Sequence, residues 1–499
     1  MEKNSRTRML WCLHDKDALV FAVFLLYSVL VFGPFLRGEQ RVHDSFLVEH
    51  YAGYERMISG LFSQGRLISA WFYQVLHFFN PPYTLTMGLS VAVSLVFLSL
   101  SAYIVFRLVC QYAVSTEEKS GYVFAALGAL MLCFNLFIAE SMLFFENVIM
   151  SLGILLAIVA LALFLRGGRK HCLLGLLALI FSVFSYQPSS VFFPPLVVLF
   201  LGARYQPDLR QFFRRSCLAA LAYAIAVLSN VMFLLLRSTD VRFAGSLRIS
   251  DNIRHGANAL EQFFLNQFGF FRDYVFLLFL ISFFGVLILI CLRQQMNRAL
   301  FVSILSVFAL LATTMALHLP VASDSWYIAP RSAVAMGGIG GLLLLAIALF
   351  ARRIKTPMLI LALLFTLLLS QKQIDIQQNT YANNQMDLQE LSQIVDTIRA
   401  YEAYHSIRVT RIYFSYDNPQ AWQRESLRNY HDLTVRMLQI PWMPEPLLQI
   451  NLGRDVTVLY MDDNLSPEEI KQITADRQNF WFTSGGLVFD GETVYLFLS

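Results

Sequence analysis

The chain has 499 residues, of which 57% are hydrophobic and only 14% charged, with a mean hydropathy of +0.56. Soluble globular chains carry about 25% charged residues, so this composition excludes them and points to a polytopic membrane protein. The formal net charge of +4 reflects basic loops on one side of a membrane, and no nucleic-acid partner is expected.

A helix needs about 20 apolar residues to cross the hydrocarbon core. Windows of that kind fall at 18–36, 83–110, 121–139, 148–165, 172–185, 188–203, 217–236, 274–292, 299–318, 333–350 and 357–370. The first follows Lys3, Arg6, Arg8 and Lys16 with no small-residue cleavage site after it, so it reads as a retained helix. The fold class expected is an all-α polytopic membrane protein of about eleven transmembrane helices, with a small α/β domain at its C-terminus. Pro188 interrupts the fifth and sixth windows, which are either two spans or one kinked or re-entrant element. An odd count places the termini on opposite sides. Basic loops at 166–171, 203–215, 293–298 and 351–355 put the N-terminus in the cytoplasm and the C-terminal domain outside. The six cysteines fall within spans or at their cytoplasmic ends, which predicts no disulfide. The domains are expected at 1–370, including a first outer loop at 37–82, and at 371–499.

The first outer loop holds the densest chemistry. From Arg41 to Arg66 it reads RVHDSFLVEHYAGYERMISGLFSQGR. Asp44, beside His43, is placed to act as a general base above the bilayer or to cap a helix starting at Ser45. Leu47, Tyr51, Tyr54, Ile58 and Leu61 recur at helical spacing, with Glu49, Arg56 and Ser63 on another face, the pattern of an interfacial amphipathic helix.

Farther along, Glu140 and Glu146-Asn147 flank the outer junctions of the third and fourth spans, where an acid needs a partner or a wet cavity. Tyr186-Gln187-Pro188 offers a hydroxyl and an amide at a backbone break, suited to sugar hydroxyls or simply a proline kink. The loop 237–273 carries Arg237, Arg242, Arg248, Arg254 and Arg272 on the side where topology disfavours them, which suits a phosphate or mutual ion pairs. Arg331, at the mouth of the tenth span, either binds a phosphate or bridges to Asp324 or another loop acid. Gly337 and Gly341 form a GxxxG pair for close helix contact.

After Ser370 the sequence turns polar. A long amphipathic helix, strand-like runs, a helix after Ser466 and an Asp490-Gly491 hairpin signal predict the small α/β domain, whose expected roles are packing over the active face or gripping an acceptor. No Walker loop, dinucleotide fingerprint, HExxH or nucleophile elbow is present. Chemistry on the outer face has no nucleotide sugar to draw on, so a substrate activated on a lipid phosphate is the natural supply.

The acid after the first span, the GR of SQGRLISAWF, FEN at 145–147, the FSYQPS break and the arginine of APRSAVA occur in the order that resembles the Gtr type-II glucosyltransferases, the serotype-converting enzymes of O-antigen. The likeness covers the membrane region and the polar tail. It implies a GT-C type glycosyltransferase of the bacterial inner membrane that moves a glucosyl group from undecaprenyl phosphate glucose to a lipid-linked or polymeric glycan on the periplasmic side. The family's first outer loop usually offers two adjacent acids. Here the pair is His43-Asp44, leaving Asp44 as the matching carboxylate and Glu49 or Glu146 as the second. The resemblance makes Asp44 the catalytic base and gives the leaving phosphate to Arg331, Arg254 and Arg66. It gives the sugar or acceptor to His43, Glu49, Glu146, Asn147, Tyr186, Gln187 and Asp324. No metal and no cofactor are expected; membrane lipids and donor-synthesising and flipping membrane proteins are the implied partners. A glycan polymerase and a lipid-linked sugar flippase are the rival readings.

Overall fold

The computed structural model describes residues 15–40, 51–113, 119–205, 208–237, 254, 274–318, 330–351, 354–416, 438, 443–475, 479–482 and 485–498. Contacts divide the chain into two compact units, one of Met1–Gly38 with Glu55–Gln377 and one of Glu39–Tyr54 with Gln378–Ser499.

The first unit is helical. Its elements are α1 (Asp15–Phe32), α2 (Tyr51–Ser63, counted in this unit from Glu55), α3 (Leu67–Phe79), α4 (Tyr83–Tyr112), α5 (Lys119–Cys133), α6 (Ile138–Ser141), α7 (Asn147–Arg166), α8 (Arg169–Ser185), α9 (Phe193–Arg204), α10 (Leu209–Arg237), α11 (Tyr274–Arg293), α12 (Asn297–His318), α13 (Val334–Gly337) and α14 (Ile339–Phe350). From Thr356 to His405 a single helix, α15, runs from this unit into the second.

Among the described residues seven helices are long and apolar enough to cross a membrane: Ala18–Arg37, Tyr83–Tyr112, Asn147–Arg166, Leu209–Leu236, Asn297–Leu317, Arg331–Phe350 and Thr356–His405. The windows expected at 121–139, 172–185, 188–203 and 274–292 fall on the shorter helices α5, α8, α9 and α11.

Burial sorts these helices by depth. The segment Arg331–Phe350 is 94% buried and sits at the centre, whereas Leu209–Leu236 and Asn297–Leu317 are each 28% buried and lie outside. On α10, Leu221, Ile225, Leu228, Met232 and Leu235 recur at helical spacing and are all exposed, an apolar stripe of the kind a membrane-facing helix carries. The centre is close-packed because a Cβ on Gly341 would overlap the backbone of Leu132 on α5.

At Pro188 the chain reverses. Proline has no N–H to continue α8; Tyr186 turns extended (φ −160°, ψ 109°), and Gln187–Phe192 forms a 3-10 turn before α9 starts back. Ser182 Oγ on α8 donates to Gly153 O on α7 at 2.7 Å, and Ser189 Oγ in the turn donates to Met150 O at 2.8 Å. By its end α9 has brought Arg204 beside Arg166 and Tyr112, at the opposite end of α7. The fifth and sixth windows are therefore two elements of opposite direction, and the alternative of one kinked element does not hold.

The second unit carries a five-stranded sheet in the order β2-β1-β5-β4-β3, with β1 (Arg411–Tyr416), β2 (Thr457–Tyr460), β3 (Asn479–Phe482), β4 (Gly485–Asp490) and β5 (Thr493–Leu498). β1 is parallel to both β2 and β5, while β3, β4 and β5 are antiparallel. Side chains alternate across it with period 2. Ile412, Phe414, Val494 and Leu496 pack with Leu391, Ile394 and Ile398 of α15, and with Leu447 and Leu448 of α16 (Pro444–Leu452). Tyr495 and Phe497 pack on the other face against Met461, which opens the short α17 (Met461–Asn464), and Ile473 of α18 (Pro467–Ala475). Ser466 caps α18 as its sequence predicts: the Ser466 N–H donates to Glu469 Oε2 at 2.8 Å. The hairpin lies one residue later than expected. Asp490 pairs with Thr493, so Gly491 (φ 59°) and Glu492 make the loop, with glycine first as in a type II′ turn.

Candidate functional site

Four stretches of the first unit meet at the end of the helices where α7 begins and α8 stops: the turn Gln64–Arg66, the segment from Glu140 to Glu146, the break at Tyr186-Gln187 and the 3-10 turn Pro330–Ala333.

The turn between α2 and α3 is pinned from two sides. Gln187 Nε2 donates to Gln64 O at 2.8 Å, and Asn230 Nδ2 of α10 donates to Gly65 O at 2.8 Å. Gly65 has φ +72°, and a Cβ there would stand 2.8 Å from Asn230 Nδ2, so both conformation and space require glycine. This fixes the next residue. The Arg66 guanidinium lies 4.7 Å from the centre of the Tyr186 ring, and its Nη1 is 3.9 Å from Glu146 Oε1. The stronger partner of Glu146 is Tyr73 on the buried face of α3, whose hydroxyl donates to Oε2 at 2.7 Å.

Arg331 meets the other acid. Its backbone N–H donates to Glu140 Oε2 at 2.5 Å, its Nη1 pairs with Oε1, and its guanidinium lies 4.6 Å from the Phe144 ring centre. Thus the salt bridge anticipated for Arg331 is made, with Glu140 as the acid; Asp324 lies outside the described residues. The side chains of Glu140 and Glu146 are 0% and 4% exposed, against 21% and 22% for the two arginines. The acids therefore hold the arginines from within, and part of each arginine side chain stays exposed. Tyr186 is itself buried, with the Arg66 guanidinium over its ring.

Asn147 and Gln187 do supporting work in this geometry. Asn147 Oδ1 accepts from Ser90 and Ser94 of α4 at 2.8 and 2.7 Å, and Gln187 spends its Nε2 on the turn. The buried Nδ2 of Asn147 has no partner among the described residues. Arg254 is exposed, and its chain neighbours lie outside the described residues, as do His43, Asp44 and Glu49.

Sequence reasoning reached Arg66, Glu146, Tyr186 and Arg331 but missed Tyr73 and Asn230. Tyr73 sits in LISAWFYQVLHFF, where the available signal was helical period: Ser69, Ala70 and Tyr73 share one face and all are buried. Asn230 was legible only as an amide within an apolar run.

Two buried carboxylates, two partly exposed arginines and the tyrosine ring beside Arg66 can hold an anion and orient hydroxyls around it. No curated protein and no solved structure matches the chain. The sequence pattern of one family, glucosyl transferase GtrII, matches residues 49–345, more than half of the length and every residue of the described cluster. The chain belongs to the GtrII glucosyl transferase family.

Proposed function

We propose that this membrane glucosyltransferase takes glucose from undecaprenyl phosphate glucose and passes it to a hydroxyl of an O-antigen or other surface glycan on the periplasmic side of the inner membrane. The observation that carries this reading is the pair of arginines, Arg66 and Arg331, each anchored by a buried acid beside Tyr186. Two partly exposed arginine side chains suit a phosphate leaving group, whose charge grows as the bond to the sugar breaks. Arg66 lies over the Tyr186 ring, with its Nη1 3.9 Å from Glu146 Oε1. Arg254 is proposed as a third phosphate ligand beside them.

In this reading Asp44 accepts the proton of the acceptor hydroxyl, whose oxygen attacks the anomeric carbon opposite the phosphate. The carbon–oxygen bond to phosphate breaks, the configuration inverts, and undecaprenyl phosphate departs. His43, Glu49 and Asp324 orient the two sugars, with Glu146 and Tyr186 framing the pocket, and Asn147 and Gln187 hold that frame in place. The cytoplasmic N-terminus, the outer tail from residue 371 and a total of eleven crossings belong to the same proposal, with the shorter apolar helices completing the count.

Purified protein supplied with undecaprenyl phosphate glucose and the surface polysaccharide of the organism that carries it tests this reading. Transfer of single glucose units with release of undecaprenyl phosphate is expected. Growth of a new chain would establish a polymerase, and movement of the lipid without bond formation a flippase; either result overturns the proposal.

A further inference from the structure

Between α2 and α3 lies an open cleft of about 520 Å³, lined by Glu55, Ser59, Ser63, Gln74 and His77 together with Phe62. That volume lies within the range of about 300–1,000 Å³ typical of small-molecule sites. α3 shows three faces. Ser69, Ala70 and Tyr73 are buried; Trp71, Val75 and Phe78 are 57%, 54% and 83% exposed and form an apolar stripe; Gln74 and His77 come between and turn to the cleft.

We propose that this cleft binds the saccharide acceptor. The inference rests on the glycosyl-transfer reading above and names where the second substrate sits. The Glu55 carboxylate, the Gln74 amide and the Ser59 hydroxyl, with the Ser63 oxygen whose proton goes to Gly60 O, supply the mixed donors and acceptors that sugar hydroxyls need, and the Phe62 ring offers a flat apolar surface. Among the described residues no arginine or lysine lines it, unlike the Arg66–Arg331 cluster. Lipid chains have the Trp71, Val75 and Phe78 stripe on the neighbouring face. Position agrees with chemistry. Ser63 is three residues before Arg66, and Gln74 follows Tyr73, whose hydroxyl is bound to Glu146. A sugar in the cleft therefore lies alongside the arginine–acid cluster without occupying it.

The test measures two ligands separately on full-length protein in lipid nanodiscs: the organism's surface polysaccharide released by mild acid, and undecaprenyl phosphate. Ser59→Trp fills the cleft, and Gln74→Ala removes one exposed amide with little risk to folding. Both variants are compared at wild-type melting temperature. Polysaccharide binding is expected to weaken at least tenfold in Ser59→Trp and several-fold in Gln74→Ala, with undecaprenyl phosphate binding held within twofold. Polysaccharide binding unchanged in both variants, or loss of both ligands together, overturns the inference, as does a wild-type chain that binds no polysaccharide. Cleft-dependent polysaccharide binding without any glucose transfer leaves the cleft standing and sinks the transferase reading. Transfer with variants that bind like wild type does the reverse.

Discussion

Arg331 is joined to Glu140 twice, through its guanidinium and through its own backbone N–H, so one carboxylate fixes both the side chain and the start of the central span. Removing either partner strands a buried charge, which costs about 3–5 kcal/mol. Glu140→Ala is expected to lower the melting temperature sharply and abolish transfer. Arg331→Leu added to it restores much of the stability and none of the activity. Thermal denaturation in detergent, with an assay of glucose transfer, separates the two effects.

Arg66 stacks on Tyr186 and stands at long range from Glu146. Arg66→Ala is expected to weaken binding of undecaprenyl phosphate at least tenfold, equivalent to about 1.4 kcal/mol. Arg66→Lys keeps the charge but loses the planar guanidinium on the ring, and its affinity should fall between the two. Titration of the lipid into each variant decides; equal affinities for Ala and wild type would remove Arg66 from the phosphate site.

Gly341 faces the backbone of Leu132, where a methyl group has no room. Gly341→Ala is expected to cut the yield of folded protein several-fold. Gly60→Ala, at a helical position where a Cβ meets nothing within 4 Å among the described residues, should be neutral or stabilise by about 0.4–1 kcal/mol. Size-exclusion profiles of the two variants give the comparison.

Hydrogen bonds from the Ser466 N–H and hydroxyl hold the Glu469 carboxyl below its ordinary value. A carboxyl whose folded pKa is depressed stabilises the fold fully above its unfolded pKa of about 4.3, and that contribution is lost as pH falls through the folded value. Protection of the first turn of α18 against hydrogen exchange, corrected for intrinsic rates, should therefore decline below about pH 4.3. In Glu469→Gln it should be lower at neutral pH and lose this pH dependence.

How far the sequence reached depends on the range of the interaction. The capping box at Ser466 and Glu469 lies within three residues and was legible outright. Glu140 was legible as an acid in need of a partner, but its partner is 191 residues away and only packing reveals it. The hairpin at Gly491 was placed one residue early because Asp-Gly is a turn signal in two registers, and strand pairing, absent from local sequence, selects between them. The reversal at Pro188 left two topologies open until the serine hydrogen bonds to α7 closed one of them. Helix length limited the span count in the same way, since α8 and α9 are short beside the reversal that joins them.

The separation of Glu140 and Arg331 also sets a schedule for biogenesis. At about 5–20 residues per second, the ribosome needs roughly 10–40 s to make the chain between them. During that interval the acid has entered the bilayer region while its counter-charge is unmade. Glu140 therefore gains its counter-charge only once residue 331 has been made, and the paired site is complete only then. A nascent chain halted before residue 331 is inert by construction.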